Sequence, residues 1–382
     1  MRAYPLYLLL RGLGSLAGGC ALTYSLVYQI RDVGLGPFQL VLVGTVLEVT
    51  YLIAQLPTGL AADRYGRKPA IVAGTALLGA GIAVQSVPTL VPVLIGTAVS
   101  ALGSALTDGA EQAWIAGELG DHRAGPAFSR GAQLAQVGTV AGVGVGALLG
   151  RHGLRLPMVA GAAGWLLLAG LLALALQETR VAPAADEIRL SRIRPSPATL
   201  YVLAAVFVLG LGSEGWDRLG PARLLAFPAV GVLTIGVLTA AAMLGAAGLT
   251  ELFRRRLDAS RAGGLLLAVE CVRLPAMTVF AVTGLLPLAA ATWLLAGLLR
   301  SAAAPLLDTW LVALTDPATR ATALSAVGQA DSAGQILGGP PIGLLGSRAS
   351  VPAALLATAL LGAPAVALLA RARRRGRVGA PA

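Results

Sequence analysis

The sequence alternates between long apolar stretches and short polar segments about a dozen times along its length. About 20 apolar residues in an α-helix span the hydrocarbon core of a bilayer, where a helix satisfies its own backbone hydrogen bonds. The pattern therefore predicts an all-α integral membrane protein with twelve transmembrane helices. The predicted spans are residues 5–30, 38–61, 70–87, 90–115, 127–150, 156–177, 198–221, 229–253, 262–284, 286–311, 323–346 and 351–370.

The composition agrees with a chain whose main solvent is lipid. Of its 382 residues, 56% are hydrophobic and 12% are charged, against about 25% charged in soluble proteins. The 49 glycines fit closely packed membrane helices. The net charge of +11 does not indicate nucleic-acid binding, because the basic residues lie between the apolar stretches. The basic cytoplasmic tail, 371–382, is expected to bind acidic lipid headgroups.

Six predicted spans precede a polar, proline-containing segment and six follow it. This layout predicts an N-terminal six-helix bundle (1–177), a cytoplasmic linker (178–197) and a C-terminal six-helix bundle (198–370). With the N-terminus inside, the inner segments carry nineteen Lys and Arg residues and the outer loops six. Because cytoplasmic loops hold the excess of positive charge, we expect a multi-pass protein of the cytoplasmic (inner) membrane with both termini in the cytoplasm.

The two halves contain an internal repeat. A segment of 37 residues that begins at Trp114 aligns without a gap on the segment that begins at Trp310, with a constant offset of 196. The alignment also pairs Gln133 with Gln329. Matches of Ala, Leu and Gly are common by chance in such a composition, but matches of Trp and Gln are not. The halves are therefore predicted to descend from a duplication.

The loop after the second span carries a recognisable motif, Gly-Leu-Ala-Ala-Asp-Arg-Tyr-Gly-Arg-Lys from Gly59 to Lys68. It resembles the cytoplasmic loop signature of the major facilitator superfamily, and the segment from Asp108 to Trp114 is similar to one in bacterial drug-exporter-like members. The resemblance implies a secondary transporter with two six-helix bundles related by a pseudo-twofold axis. The motif positions that match are Gly59, Asp63, Arg64, Gly66, Arg67 and Lys68.

The resemblance implies that this loop is a conformational latch, with Asp63 bonding across to the C-terminal half. Alternatively, Arg64, Arg67 and Lys68 only set the topology. Two positions depart from the family pattern. Thr97 stands where many proton-coupled members carry arginine, and Val143 stands where the antiporter signature has proline.

Ionisable residues inside the spans are the candidate site residues, because charges in a membrane are costly. Glu48 lies near the middle of the second span, about 15 Å from either end, too deep for its carboxylate to reach water directly. It is the first candidate for proton coupling, with Arg300 or Asp331 as conceivable neighbours. The alternative is a static hydrogen bond between helices.

Asp108 and Glu111 lie three residues apart on one helical face, where two carboxylates could share a proton or attract a cation. They are further candidates for proton coupling or substrate binding. Arg300, near the centre of the tenth span, ranks after Glu48. Two other groups, Glu214 with Arg218 and Glu270 with Arg273, have the spacing of ion pairs within one helix.

No enzyme chemistry is predicted. His122 and His152 fall in loops, so neither has a nucleophile partner or a set of metal ligands, and a phosphate-gripping loop is absent from the sequence. We therefore expect no cofactor, no metal and no ATP-driven step. The predicted function is secondary active transport of a small amphiphilic molecule by a monomer, as proton-coupled efflux. The alternatives are an importer or uniporter of the same fold, and a nontransporting membrane scaffold.

Overall fold

A computed structural model describes residues 3–178, 196–254, 259–316 and 319–378, and all of the regular structure in these ranges is α-helical. The all-α prediction is therefore confirmed. The linker predicted at 178–197 lies almost wholly outside the described residues. The helices are α1 (Ala3–Arg31), α2 (Pro37–Tyr65), α3 (Arg67–Gln85), α4 (Leu90–Thr107), α5 (Ala110–Leu119), α6 (Asp121–Gly150), α7 (Arg155–Ala175), α8 (Pro197–Leu225), α9 (Val232–Arg254), α10 (Ala259–Val282), α11 (Leu286–Leu314), α12 (Arg320–Arg348) and α13 (Val351–Val378).

The described residues form thirteen helices where the sequence predicts twelve, because the predicted span 90–115 is broken. Helix α4 ends with a hydrogen bond from the Asp108 amide to the Ser104 carbonyl. The next residue, Gly109, has φ +77°, so the helix cannot continue through it. Helix α5 then starts at Ala110. The apolar span is present, but the prediction that Asp108 and Glu111 lie on one face of a helix is wrong, because Asp108 caps α4 and Glu111 lies in α5.

Ten apolar helical segments in the described ranges are long enough to cross a membrane, and α4 and α5 together make one of them, Leu90–Leu119. Helices α9 and α12 do not belong to these ten. The structure is therefore that of a multi-pass membrane protein. The finer arrangement of twelve spans in two bundles stays a prediction.

The chain forms two compact units. Unit 1 contains Met1–Leu35, Val46–Asp186 and Val232–Gly236, and unit 2 contains Gly36–Thr45, Glu187–Gly231 and Val237–Ala382. The first turns of α2 therefore belong to unit 2 and the first turn of α9 to unit 1.

Among the described residues each unit contains an apolar core, and seven buried residues of one core lie at positions equivalent to buried residues of the other. Trp114 lies in the core of unit 1 and Trp310 in that of unit 2, and both side chains are buried. The offset of 196 found in the sequence also relates other core residues. The pairs are Leu6 with Val202, Leu10 with Val206, Ala70 with Leu266, Ala110 with Leu306, Ile115 with Leu311, and Leu176 with Ala372. The duplication predicted from the sequence thus recurs in the packing.

Glycines let the helices of each unit approach closely. In unit 1, a Cβ on Gly142 of α6 would lie 2.8 Å from the Cys20 amide nitrogen on α1. In unit 2, a Cβ on Gly334 of α12 would lie 2.9 Å from Cα of Gly210 on α8. Both distances are shorter than real Cβ contacts, so only glycine fits these crossings. The glycine-rich segments of α6 and α12 therefore have a packing role within each unit.

Candidate functional site

The break between α4 and α5 opens into a cavity of about 330 Å³ in unit 1, which we call the break cavity. The break lies within the apolar span Leu90–Leu119. Non-helical backbone inside a membrane is tolerated only where it is buried in protein or lines a water-filled space. The residues that line the break cavity are Tyr7, Arg11, Thr107, Asp108, Gly109, Glu111, Gln112, Phe128 and Ala132.

An ion pair between α1 and α5 forms one wall of the break cavity. Nη1 of Arg11 lies 3.4 Å from Oε2 of Glu111, near the outer limit of a hydrogen bond. The Arg11 side chain is 41% exposed and that of Glu111 15%. The buried Nε atom of Arg11 has no hydrogen-bond partner among the described residues. The ion pair is therefore weak, and the Nε–H group of Arg11 remains available as a hydrogen-bond donor.

A second polar contact joins α2 to the end of α4. The hydroxyl group of Tyr51 donates a hydrogen bond to Oδ2 of Asp108. Glu48 lies three residues before Tyr51 on the same helix, is half-buried, and its charge acts on the same phenol. The structure thus brings three of the predicted site residues, Glu48, Asp108 and Glu111, to one region of unit 1. Asp108 and Glu111 line the cavity itself, and Glu48 is not among its lining residues.

The helix break and its two carboxylates have no counterpart at the equivalent positions of unit 2. In unit 2 the positions 196 residues later than Asp108, Gly109 and Glu111 are Ala304, Pro305 and Leu307. Helix α11 runs unbroken through these positions. The shared packing of the two units therefore does not require a break or a carboxylate here, which favours a functional reason for both.

Arg300 forms an ion pair with a residue that the sequence analysis did not single out. Its Nη1 lies 2.6 Å from Oδ1 of Asp217 on α8, and the two side chains are 35% and 44% exposed. Asp331 and Glu214 add further negative charge near Arg300. An acidic residue inside an apolar span was the available signal for Asp217, but its partner is 83 residues away in sequence.

Asp331 and two short-range ion pairs are further charged groups of unit 2. Oδ2 of Asp331 accepts a hydrogen bond of 2.9 Å from Nε2 of Gln335, one turn further along α12. The predicted pairs within single helices both form. They are Glu214 with Arg218 at 3.2 Å and Glu270 with Arg273 at 2.7 Å.

Arg273 and Arg300 both line a void of about 10 Å³ in unit 2. A space of this size holds about one water molecule. Arg273 and Arg300 therefore lie in a compact charged cluster, and the break cavity of unit 1 is much larger than this void.

The motif loop between α2 and α3 is fastened by Glu178, which the sequence analysis placed in the linker. Its Oε1 accepts a hydrogen bond of 2.7 Å from the Arg67 amide, and its Oε2 one of 2.9 Å from the Lys68 amide. The Arg67 guanidinium donates to the Ala113 carbonyl at 2.7 Å. Gly66 has φ +102° and a Cβ there would lie 2.9 Å from Glu178, so glycine is required at this turn.

The remaining motif residues are less constrained in this structure. A Cβ on Gly59 would meet no atom within 4 Å, so no close helix approach occurs at this position. The Arg64 guanidinium lies 5.7 Å from the centre of the Tyr65 ring. The side chain of Asp63 lies outside the described residues, and its predicted bond to the C-terminal half stays a prediction.

A sequence model of the Major Facilitator Superfamily matches residues 8–269, which is more than half of the chain. The chain belongs to the major facilitator superfamily. This membership identifies a membrane transporter rather than an enzyme. No curated protein matches the sequence.

Solved structures of transporters share the fold. A bacterial homologue of the human lysosomal transporter Spinster, in an inward-facing and unoccupied conformation, matches with a TM-score of 0.78 at 18% identity, covering 100% of this chain and 98% of that one. The nucleoside transporter NupG matches with a TM-score of 0.77 at 14% identity, covering 98% and 99%. A POT family transporter in complex with a thioalcohol-conjugated peptide matches with a TM-score of 0.73 at 13% identity, covering 97% and 95%. At these identities the likeness concerns the fold alone, and the cargo named differs from one relative to the next.

Proposed function

We propose that this transporter is a proton-coupled exporter of a small amphiphilic molecule, working by alternating access in the cytoplasmic membrane as a monomer with both termini inside. The observation that carries the proposal is the break cavity, where Asp108 and Glu111 lie on either side of a break in a membrane helix.

The chemistry of these two carboxylates suits proton exchange. Each has one polar contact across to another helix, Glu111 with the Arg11 guanidinium and Asp108 with the Tyr51 hydroxyl. A carboxylate in a membrane needs a cation, a hydrogen-bond donor, water or a proton. If the conformational change separates Glu111 from Arg11, a proton or another cation can balance the charge of the carboxylate. Alternating access would then expose the group to one side of the membrane at a time.

The other predicted site residues have supporting places in this proposal. Glu48 acts on the same phenol as Asp108, and we assign it a role in sensing or carrying the coupling proton. Arg300 and Asp331 lie in the charged cluster of unit 2 with Asp217. Their proposed role is to bind the polar part of the cargo or to respond to its binding.

Transport in proteoliposomes under an imposed pH gradient tests coupling and direction together. A susceptibility panel of amphiphilic drugs, with and without expression, first selects a cargo. The selected cargo should then move against its concentration gradient, in the direction opposite to proton flow, and the movement should stop when an ionophore collapses the gradient. Movement in the same direction as the protons would indicate the alternative function, an importer. A transport rate that does not depend on the pH gradient would overturn the proposed proton coupling.

A further inference from the structure

We infer that the break cavity binds the cationic head of its cargo, so that the amphiphile carried by this protein is an organic cation. The inference rests on the proposed function, because it concerns the same cavity. It goes further by assigning the charge of the cargo and the residues that recognise it.

The charges that line the cavity favour a cation. Two carboxylates, Asp108 and Glu111, face one guanidinium, that of Arg11. The Tyr51 hydroxyl satisfies one oxygen of Asp108 without adding positive charge. A bound cation would balance the remaining negative charge in a medium where unbalanced charge is costly. An anion would instead have to approach both carboxylates.

Aromatic side chains supply a second means of cation recognition. Tyr7 of α1 and Phe128 of α6 both line the cavity, and Tyr7 is close enough to Arg11 and Glu111 for their charges to act on its phenol. The faces of such rings attract organic cations, by about 0.5 to 2 kcal/mol depending on desolvation. Carboxylates combined with aromatic rings therefore match a cation that carries apolar groups.

The volume and the loose ion pair allow a ligand to enter. At about 330 Å³ the cavity lies within the range of small-molecule sites, which begins at about 300 Å³. Arg11 reaches Glu111 over 3.4 Å and is 41% exposed. A cationic ligand can therefore replace the guanidinium at Glu111 and keep the charge of this mostly buried carboxylate balanced.

Two lipophilic ions of nearly the same shape and opposite charge test the assignment: tetraphenylphosphonium and tetraphenylborate. Binding is measured by equilibrium dialysis of the radiolabelled ions against purified, detergent-solubilised protein, with protein-free micelles as background. We expect saturable binding of tetraphenylphosphonium at one site per chain. Tetraphenylborate should show no saturable binding. Equal binding of both ions, or tighter binding of tetraphenylborate, would overturn the assignment.

Variants locate the site. Asp108→Asn and Glu111→Gln should each weaken tetraphenylphosphonium binding at least about tenfold, which is about 1.4 kcal/mol, since each removes a negative charge that attracts the cation. Phe128→Leu should weaken it about fivefold through loss of the aromatic face. The matched control is Asp308→Asn, which removes an exposed carboxylate from α11 in unit 2 and should leave binding unchanged. Size-exclusion chromatography verifies folding of each variant.

The outcomes separate the cation assignment from the proposed function. Wild-type affinity in both the Asp108 and Glu111 variants would show that the cation binds elsewhere and would overturn this inference. If either variant fails to fold, the comparison of the two ions on the wild-type protein still decides the charge of the ligand. Proton-driven transport of a neutral cargo, without tetraphenylphosphonium binding, would overturn the cation assignment and leave the proposed function standing. Binding of tetraphenylphosphonium without any proton-driven transport would overturn the proposed function and leave the cation assignment standing.

Discussion

The hydroxyl group of Tyr51 on α2 donates a hydrogen bond to the carboxylate of Asp108 at the end of α4. The contact places a neutral donor on a carboxylate at the point where a membrane helix is interrupted. It therefore satisfies Asp108 without fixing its charge, which a lysine or arginine in the same place would do.

The first prediction concerns this hydrogen bond. Tyr51→Phe keeps the ring and removes the hydroxyl group, so Asp108 loses a donor whose bond to a charged group contributes about 1.5 to 3 kcal/mol. We expect proton-driven transport in proteoliposomes to fall about tenfold or more while the protein still inserts and purifies. Tyr4→Phe, at an exposed tyrosine near the start of α1, is the control and should transport normally. An unchanged rate in the Tyr51 variant would mean that the bond is incidental.

The helix break itself can be tested through Gly109. Gly109→Ala places a side chain at φ +77°, which costs about 1 to 3 kcal/mol. The apparent Tm of the Gly109→Ala variant should therefore fall below that of the wild type. Gly144→Ala is the control, because Gly144 lies inside helix α6 and a Cβ there meets no atom within 4 Å. That change should leave the apparent Tm unchanged or raise it, since alanine favours helix by about 1 kcal/mol over glycine. Equal stability of the two variants would argue against the strained turn.

The break between α4 and α5 was not predicted from the sequence. Hydropathy identified the apolar span around Asp108. The Asp-Gly pair inside this span is a local turn signal, and the predicted helix passed through it. Glycine at the second position of this pair tolerates the positive φ that the break requires. The residues of the two cores were easier to predict from the sequence. The offset that pairs Trp114 with Trp310 in the sequence also pairs several residues of the two cores, although the apolar residue types at these positions differ.

Long-range polar contacts were the other part that could not be predicted. Asp217 and Arg300 are 83 residues apart, and Arg11 and Glu111 are 100 apart. The ion pairs with helical spacing, such as Glu270 with Arg273, were predictable because one helix fixes the distance between the side chains. Glu178 was missed for another reason. It lies in a polar stretch, where a carboxylate has no need of a protein partner, although here it binds two amides at the start of α3.

The motif loop gives a third prediction. Asp63→Asn and Gly59→Leu should leave insertion and cargo binding intact while reducing turnover by about tenfold or more, because a latch changes the balance between conformations rather than the site. The structure supports the expectation that the fold tolerates Gly59→Leu, since a Cβ at this position meets no atom within 4 Å. Transport at the original rate by both variants would indicate that the loop only sets the topology.

The topology is a fourth prediction. Fusions of alkaline phosphatase and of green fluorescent protein after Gln177 and after Arg377 should both report a cytoplasmic location, giving fluorescence and no phosphatase activity. The reason is the excess of Lys and Arg in the segments assigned to the inside. A matched fusion in the outer loop after His152 should give the opposite signals. Phosphatase activity at either of the first two sites would refute the assigned orientation.

Glu48 combines depth in the membrane with a position beside the Tyr51–Asp108 contact. It lies twelve residues into α2 and is half-buried. Its charge acts on the same phenol that bonds to Asp108. A proton arriving at Glu48 would therefore change the electrostatic environment of the hydrogen bond at the helix break, which offers a physical route from protonation to the cavity.

The last prediction follows from that route. Glu48→Gln keeps the shape and most hydrogen bonding of the side chain but removes its titration. It should abolish proton-driven uphill transport while preserving cargo binding and downhill exchange, because only the response to the proton is lost. Asp32→Asn, at an exposed carboxylate after α1, is the control and should behave as the wild type. The measurement is accumulation of cargo in proteoliposomes with and without a pH gradient, alongside exchange at equal pH. Undiminished accumulation in the Glu48 variant would transfer the coupling role to Asp108, Glu111 or Asp331, whose substitutions the same assay can then compare.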